Sequence, residues 1–348
     1  EQLNDPVWLK NNKPYTGELL LGHLRYGTHG ANTIETVHPF LRQNNWITRN
    51  LVLAGNFNLT NVDELFSELL SFGQYPKEKS DTVTVLEKIG HFLDDEVQRL
   101  FNWFKPEGYS NQEINSLIAE HLDIQRLLQR ASRKFDGGYV MAGLIGHGDA
   151  FVLRDPAGIR PAFYYYDDEI VVVASERPAI QTSLNIRYFQ VKELKPGHAL
   201  IIKKNGTISE EQCKEPVAIN PCSFERIYFS RGTDRDIYLE RKKLGELLAD
   251  KILKAVNYDF ENTLFSFIPN TAEVAFYGMI KGLEHKLNEI KSQQILTLSE
   301  KGELTQAGLA KILSQSIRAE KLAVKDEKLR TFTADDASRG EMVSHVYD

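Results

Sequence analysis

Cysteine is nearly absent from this chain, whose 348 residues include only two, Cys213 and Cys222. So few cysteines argue against a disulfide scaffold and for a reducing compartment. The sequence also shows no cysteine or histidine spacing that is typical of a metal site. We therefore predict a cytoplasmic protein that is not built on cysteine cross-links.

The chain also lacks long apolar runs and an excess of positive charge. Its longest apolar run, at about residues 170–174, is far too short to cross a bilayer. The first residues are polar and show no signal-peptide pattern. The formal net charge is -6, which gives no basis for binding nucleic acid or an acidic membrane surface. We predict neither kind of partner.

The composition that remains is that of an ordinary folded protein, with 42% hydrophobic and 26% charged residues. A chain of 348 residues can bury a sizeable core and suffices for two domains. The segment 211–221 is polar, contains two prolines and lacks periodicity, which is typical of a linker. We predict a first domain at 1–212, a linker at 213–221 and a second domain at 222–348.

Hydrophobic periodicity predicts an α+β layered first domain. A short buried strand is expected at 19–21, and a second at 51–54 that ends at Gly55, which leaves Asn56 and Phe57 in a loop. Helices are expected from Asn61, where Glu64 would complete a capping box, from Ser80 or Asp81, and over about 111–134. Further strands are expected at 139–145, 150–154, 162–166 and 170–174, and on both sides of the turn 204–207.

The second domain is predicted to open with a strand between two helices. The helices are expected at 239–256 and 272–287, and the strand at 264–268. This alternation is typical of the start of an α/β domain.

Four short segments contain residue types that suit the binding and hydrolysis of glutamine. A guanidinium such as that of Arg25 suits an α-carboxylate, and a carboxylate such as that of Asp81 suits an α-amine. The amide of Asn56 suits an oxyanion. Taken singly, these residues are explained as a solvated charge, a helix cap and a turn residue. The four segments are Gly22-His23-Leu24-Arg25-Tyr26-Gly27-Thr28, Ala54-Gly55-Asn56-Phe57-Asn58-Leu59-Thr60-Asn61, Ser80-Asp81-Thr82 and Arg154-Asp155-Pro156-Ala157-Gly158-Ile159-Arg160-Pro161.

In this order, the segments resemble class II glutamine amidotransferases. The last of them is similar to the amidophosphoribosyltransferase family in particular, as is Val173-Ala174-Ser175-Glu176 after it. The stretches Pro221-Cys222-Ser223-Phe224-Glu225 and Arg241-Lys242-Lys243-Leu244-Gly245 continue this resemblance, which covers roughly 17–348 and shows an enlarged helical region at 96–134.

The resemblance implies a fold, a reaction and a set of partners. The fold would be an αββα N-terminal nucleophile hydrolase-type glutaminase domain followed by the start of an α/β type I phosphoribosyltransferase domain. Glutamine would give ammonia, which would convert phosphoribosyl pyrophosphate to 5-phosphoribosylamine in the first step of purine synthesis. Mg²⁺ would serve the second site through ligands outside this chain, and the protein would form a homo-oligomer. Whether an iron–sulfur cluster is present stays open, because Cys222 alone falls where some family members place a ligand.

The resemblance also implies roles for five residues of the glutamine site. Arg25 would bind the α-carboxylate with support from Thr28, and Asp81 would bind the α-amine. Asn56 would donate to the oxyanion from its side chain, and Phe57 would donate from its backbone N–H.

Two departures from the family pattern affect this site. The family's His-Asn-Gly is replaced by Gly55-Asn56-Phe57, and a bulky Phe57 would be costly if that position needs a positive φ. The family's N-terminal cysteine nucleophile is absent, and neither Cys213 nor Cys222 carries the free α-amine that would act as its base. We therefore expect a chain truncated at both ends that is inactive as a glutaminase by itself.

The predicted site for phosphoribosyl pyrophosphate includes a basic stretch that resembles the family's mobile loop. Lys325 and Arg330 would contact the phosphates of phosphoribosyl pyrophosphate, although a solvated basic stretch explains them equally well. Asp335-Asp336 is not taken as the pyrophosphate signature, because no apolar strand precedes it and no phosphate-binding Gly-Thr-Thr follows.

Two alternatives to this function stay open. One is a non-catalytic relative that binds glutamine or a nucleotide and regulates a partner, which Gly55 and Phe57 favour. The other is a different class II amidotransferase, such as a sugar-phosphate aminotransferase.

Overall fold

The computed structural model of the protein describes residues 4–24, 37–76 and 78–325. Arg25, Thr28 and Arg330 therefore lie outside the described residues. The chain divides into two units, Glu1–Cys222 and Ser223–Asp348. No helix in the described ranges is both long enough and apolar enough to cross a membrane.

The first unit contains two antiparallel sheets. The larger has the strand order β1-β2-β3-β4-β8-β9 and the smaller the order β6-β5-β7. The described strands are β1 Phe40–Arg42, β2 Leu51–Leu59, β3 Gly137–Ile145, β4 Ala150–Arg154, β5 Phe163–Tyr166, β6 Val171–Ala174, β7 Lys192–Glu193, β8 His198–Ile202 and β9 Ile208–Gln212.

All helices of this unit except the first cover the outer faces of the sheets, and the first helix buries no residue. Residues of α2 to α5 pack with β2 and β3 in the main core, whereas Ile180 of α6 packs on Phe163 of β5. A separate cluster, which includes Val152, Tyr164 and Leu200, lies between the two sheets. The packing order is therefore helices, large sheet, small sheet, helix. The described helices are α1 Pro6–Asn12, α2 Val62–Ser71, α3 Asp81–Phe104, α4 Asn111–His121, α5 Ile124–Ser132 and α6 Arg177–Leu184.

Most strands and helices predicted for this unit are confirmed, and four predictions were wrong. Residues 19–21 form no strand, and Leu20 is 67% exposed. Strand β2 continues past Gly55 to Leu59 because it pairs with β3 along its whole length. The single helix expected at 111–134 is two, since Asp123 caps a new helix by accepting from the Arg126 N–H. The predicted capping box at Asn61 does not form, because this side chain donates to the Lys134 carbonyl instead.

The segment 213–221, predicted as a linker, makes several backbone hydrogen bonds within the first unit. Cys213 and Lys214 both donate to the Gly197 carbonyl, and Val217 donates to that of Pro156. The boundaries of the two predicted domains stay a prediction.

The second unit is built around two long helices. Helices α7 and α8 pack closely through Gly245 and Gly278, where an added Cβ would lie 1.7 Å and 1.8 Å from a backbone carbonyl oxygen of the other helix. The predicted strand at 264–268 was wrong, because only Phe265 forms a bridge, a parallel one to Ala319. The described elements are a π-helical turn at Glu225–Phe229, α7 Arg235–Ala255, α8 Glu273–Glu300 and α9 Gln306–Ser314.

Candidate functional site

Beyond the short strand β1, this edge of β2 is open within the described part of the chain, because no further described strand pairs with it. Strand β1 pairs with β2 only from Phe40 opposite Leu53 to Arg42 opposite Leu51. At Gly55, two residues further along β2, the backbone N–H donates to Nδ1 of His38 at 3.2 Å. An imidazole thus takes the place of a strand partner at this point of the sheet edge.

His38 connects this edge to the start of helix α3. Its Nε2 lies 3.2 Å from the hydroxyl oxygen of Thr82. Because Nδ1 accepts from Gly55, the neutral ring carries its proton on Nε2 and donates it to Thr82. The Thr82 hydroxyl is then available to donate toward Oδ1 of Asp81, which lies 3.5 Å away. The contacts therefore run from Gly55 through His38 and Thr82 to Asp81.

Asp81 occupies the first turn of α3. Ser80 is the N-cap and accepts from the Val83 N–H, so the helix begins where the sequence predicted. Oδ1 of Asp81 accepts from the Thr82 N–H at 2.9 Å, while its other carboxylate oxygen has no partner within the described part of the chain. Asp81 is half-buried. This oxygen is therefore placed to accept from a cationic ligand near the N-terminus of α3.

Aromatic rings hold the imidazole of His38 in place. The ring of His23 stacks on it with centroids 4.5 Å apart, and Phe40 meets it edge-on at 5.2 Å. Phe57 lies 5.8 Å away in a tilted contact.

Gly55, Asn56 and Phe57 lie inside strand β2, so the predicted loop at Asn56 and Phe57 was wrong. The backbone of Phe57 is extended and pairs with Tyr139 of β3. A phenylalanine is therefore accommodated at this position without a positive φ. Its ring packs against the main core, and the exposed Asn56 side chain alternates to the other face of the sheet.

The backbone N–H of Phe57 is directed to the same open edge as that of Gly55. Hydrogen-bonding direction alternates along an antiparallel strand, and the register with β3 continues without a break from Leu51 to Leu59. The N–H groups of residues 55 and 57 therefore leave β2 on the side where His38 lies. Such an N–H is suitable as an oxyanion donor, which is the role that the sequence predicted for Phe57.

The segment Arg154–Pro161, which carries the resemblance most specifically, forms a turn around two buried side chains, those of Arg154 and Asp155. Oδ1 of Asp155 accepts from the N–H groups of Ala157 and Ile159, and Oδ2 accepts from those of Tyr139 and Arg160. The guanidinium of Arg154 donates to the carbonyls of Arg160, Leu194 and Gly158. These side chains hold the turn and direct no group to the β2 edge.

The remaining candidates stay predictions. Lys325 lies at the end of the described residues of the second unit. In the described ranges, no group of three or more His, Cys, Asp or Glu side chains is arranged to hold a metal ion. Both cysteines are free thiols, and burial raises the pKa of Cys213 to about 12.

Sequence reasoning did not select His38, and it assigned no role to Thr82 within the segment Ser80-Asp81-Thr82. Thr82 directly follows Asp81, so the sequence alone shows that these two residues lie next to each other. The position of His38 depends on the pairing of β1 with β2, which spans residues distant in sequence.

Comparisons with known proteins agree with this fold. No protein-family model matches the chain. A solved structure described as glutamine phosphoribosylpyrophosphate (PRPP) amidotransferase from B. subtilis complexed with ADP and GMP matches with a TM-score of 0.58 and 24% identity, over 92% of this chain and 55% of the other. A second, described as the allosteric regulatory enzyme of purine biosynthesis, matches with a TM-score of 0.59 and 23% identity, over the same shares of both chains, 92% and 55%. The described part of the chain thus has a fold, of helices and antiparallel sheets, that is similar to the matching part of these two structures.

Three curated relatives of this chain share the name amidophosphoribosyltransferase. Amidophosphoribosyltransferase of Pseudomonas aeruginosa is 29% identical over 282 residues, which are 78% of this chain and 51% of the relative. That of Escherichia coli is 30% identical over 248 residues, or 68% and 44%, and that of Saccharomyces cerevisiae is 29% identical over 268, or 74% and 48%. The protein is a relative of the amidophosphoribosyltransferases and spans about half the length of those it matches.

Proposed function

We propose that this chain is part of an amidophosphoribosyltransferase. The complete protein would release ammonia from glutamine and use it to displace pyrophosphate from phosphoribosyl pyrophosphate, giving 5-phosphoribosylamine in the first step of purine synthesis. The observation that supports this most directly is the position of Asp81, whose carboxylate is connected through Thr82 and His38 to the open edge of β2.

The proposal assigns the two predicted domains to the two half-reactions. Residues 1–212 would be the αββα glutaminase domain of the N-terminal nucleophile type, which the packing order of helices and sheets supports. Residues 222–348 would begin a type I phosphoribosyltransferase domain, which the parallel bridge between Phe265 and Ala319 supports.

In the glutamine site, Asp81 would bind the α-amine and Arg25 the α-carboxylate, with Thr28 supporting Arg25. The Phe57 N–H and the Asn56 amide would donate to the oxyanion that forms when the side-chain amide is attacked. These donors act in the transition state, because negative charge develops on the carbonyl oxygen only as the tetrahedral intermediate forms.

In the phosphoribosyl site, Lys325 and Arg330 would contact phosphate oxygens. The described residues show no metal-binding cluster that fits Mg²⁺, so no residue of this chain is assigned to it. The complete protein would be a cytoplasmic homo-oligomer that uses these two small substrates and binds neither nucleic acid nor membranes.

The test is Asp81→Asn in the complete protein that contains this chain. We expect glutamine-dependent synthesis to fall at least about 100-fold, because the neutral amide cannot balance the α-ammonium charge. Synthesis from added ammonia should stay within about twofold, since ammonia bypasses the glutamine site. Asp63→Asn is the matched control. It changes a first-turn acid of α2 that is exposed and paired with Lys79, and it should leave both activities unchanged.

Arg25→Ala should give the same separation of the two activities. Equal loss of both would contradict the assignment of Arg25 and Asp81 to glutamine. A wild-type complete protein that binds glutamine but makes no product, even from ammonia, would favour the non-catalytic alternative.

A further inference from the structure

We propose that His38 is a positioning residue for the glutamine half-reaction, a role that rests on the proposed function above. In its neutral Nε2–H form it would fix the spacing between the ammonium-binding carboxylate of Asp81 and the oxyanion-binding edge of β2. His38 itself would not touch the reacting atoms.

The imidazole of His38 matches the hydrogen-bonding groups of its two partners. The backbone N–H of Gly55 can only donate, so its partner at 3.2 Å must accept. The Thr82 hydroxyl, 3.2 Å from Nε2, can accept on the other side of the ring. A neutral imidazole supplies one acceptor and one donor at opposite ends of a rigid ring. An aliphatic side chain supplies neither.

Both elements that His38 connects, strand β2 and the start of helix α3, carry groups of the proposed glutamine site. Gly55 and Phe57 direct their N–H groups to the same edge, so a partner that fixes Gly55 also fixes the donor at Phe57. Thr82 adjoins Asp81, and Thr82 is only 7% exposed. The imidazole therefore joins the two ends of the proposed glutamine site through groups that are themselves held in place.

Packing limits the movement of the His38 ring. His23 stacks on one side at 4.5 Å, and Phe40 and Phe57 contact it at 5.2 Å and 5.8 Å. Such contacts leave the ring little rotational freedom. A rigid link keeps donor and carboxylate at one spacing, which lowers the barrier of a reaction that needs both at once.

A positioning role predicts a specific pattern of kinetic change. Loss of the hydrogen bonds through His38 should leave both the Asp81 carboxylate and the Phe57 N–H intact. The distance between these two groups should then vary. Ground-state binding of glutamine depends on the amine and carboxylate anchors, whereas oxyanion stabilisation depends on the spacing. Removing the link should therefore mainly lower kcat of the glutaminase reaction and should change KM only weakly.

The experiment compares paired variants at both ends of the link in the complete protein. His38→Leu removes the acceptor and the donor, whereas His38→Gln retains one of each in its amide. Thr82→Val removes the hydroxyl at equal size, whereas Thr82→Ser retains it. His91→Leu is the matched control, because His91 also stacks on an aromatic ring, that of Phe72, and hydrogen-bonds a side chain, that of Gln74. Glutaminase kcat and KM, ammonia-dependent synthesis and the melting temperature are measured for each.

We expect His38→Leu and Thr82→Val to lower glutaminase kcat at least about tenfold, with KM and ammonia-dependent synthesis within about threefold. His38→Gln and Thr82→Ser should stay within about threefold of the wild type in kcat. His91→Leu should leave both activities unchanged, even if it melts earlier. Should His38→Leu fail to fold, Thr82→Val tests the same link from the other end.

Two results would overturn the inference. One is a His38→Gln variant as impaired as His38→Leu, and the other is a parallel loss of glutamine-dependent and ammonia-dependent synthesis. A wild-type complete protein with no glutaminase activity would instead overturn the proposed function, and the inference with it. The two failures are distinguished by the wild-type assay alone.

Discussion

The ring of Phe57 folds back over the α-carbon of Gly55, two residues earlier on strand β2. A Cβ at position 55 would lie 2.8 Å from Cδ1 of this ring and 2.5 Å from the backbone oxygen of Val140. Relative to the family pattern His-Asn-Gly, this chain therefore moves the side-chain volume from the first position to the third. A glycine at 55 therefore fits a phenylalanine at 57, since the ring occupies space that a side chain at 55 would need.

Phe57→Gly tests whether the ring or only the backbone N–H of this position matters for activity. We expect glutaminase kcat of the complete protein to be retained or improved, because the proposed donor is the backbone N–H. The free energy of unfolding should fall by about 2–3 kcal/mol, because the partly buried ring packs on the core. Assays well below the melting temperature separate the two effects. A large drop in kcat there would show that this lineage rebuilt its oxyanion site around the ring.

Gly55→Ala should destabilise the first unit. The new Cβ meets the Val140 carbonyl, which belongs to the β3 backbone and has little room to move. We expect a loss of about 1–3 kcal/mol in chemical denaturation. Gly22→Ala is the control, since no described residue lies within 4 Å of its added Cβ. If Gly55→Ala were as stable as Gly22→Ala, the close approach of β2 and β3 would be wrong.

The course of β2 shows where sequence reasoning succeeds and where it stops. The apolar run from Leu51 to Ala54 predicts a strand from local pattern alone. The asparagines at 56 and 58 favour a turn locally, but pairing with Val140 and Gly138 keeps the strand extended. His38 likewise depends on pairing between distant segments. Helix starts such as Ser80 were predictable because a cap is set by the residues next to it.

Asp155→Asn should destabilise the turn that follows β4. Both carboxylate oxygens accept two backbone N–H groups each, and Asp155 is fully buried. An amide places an NH₂ group against two donors, so we expect a loss of about 2–3 kcal/mol in the free energy of unfolding. Asp167→Asn is the matched control, because its carboxylate accepts from Glu169 and Ile170 in an exposed turn. Asp167→Asn should lower the free energy of unfolding by less than Asp155→Asn does. Equal losses would contradict the role of burial.

The two long helices of the second unit should not tolerate alanine where they touch. In Gly245→Ala the new methyl would meet the Ala275 carbonyl, and in Gly278→Ala that of Lys242. Alanine favours helices over glycine by about 1 kcal/mol, but the clash should outweigh this and give a net loss of about 2 kcal/mol. Lys251→Ala, an exposed change in α7, is the control. Thermal melting of each variant is the measurement, and equal melting temperatures would rule out the close packing.

The two thiols should react at very different rates with an alkylating reagent. Burial raises the pKa of Cys213 to about 12, whereas Cys222 is partly exposed. The thiolate is the reactive form, so at pH 8 the folded protein should be labelled at Cys222 and spared at Cys213.

The raised pKa also means that the folded state holds the Cys213 proton more tightly than the unfolded chain does. This contribution to stability is complete below the unfolded thiol's pKa of about 8.5 and is lost as the pH rises toward 12. Mass spectrometry after timed iodoacetamide treatment at pH 8 and pH 10, with and without denaturant, measures both sites. Rapid labelling of Cys213 in the folded protein would contradict its place in the core beside β8.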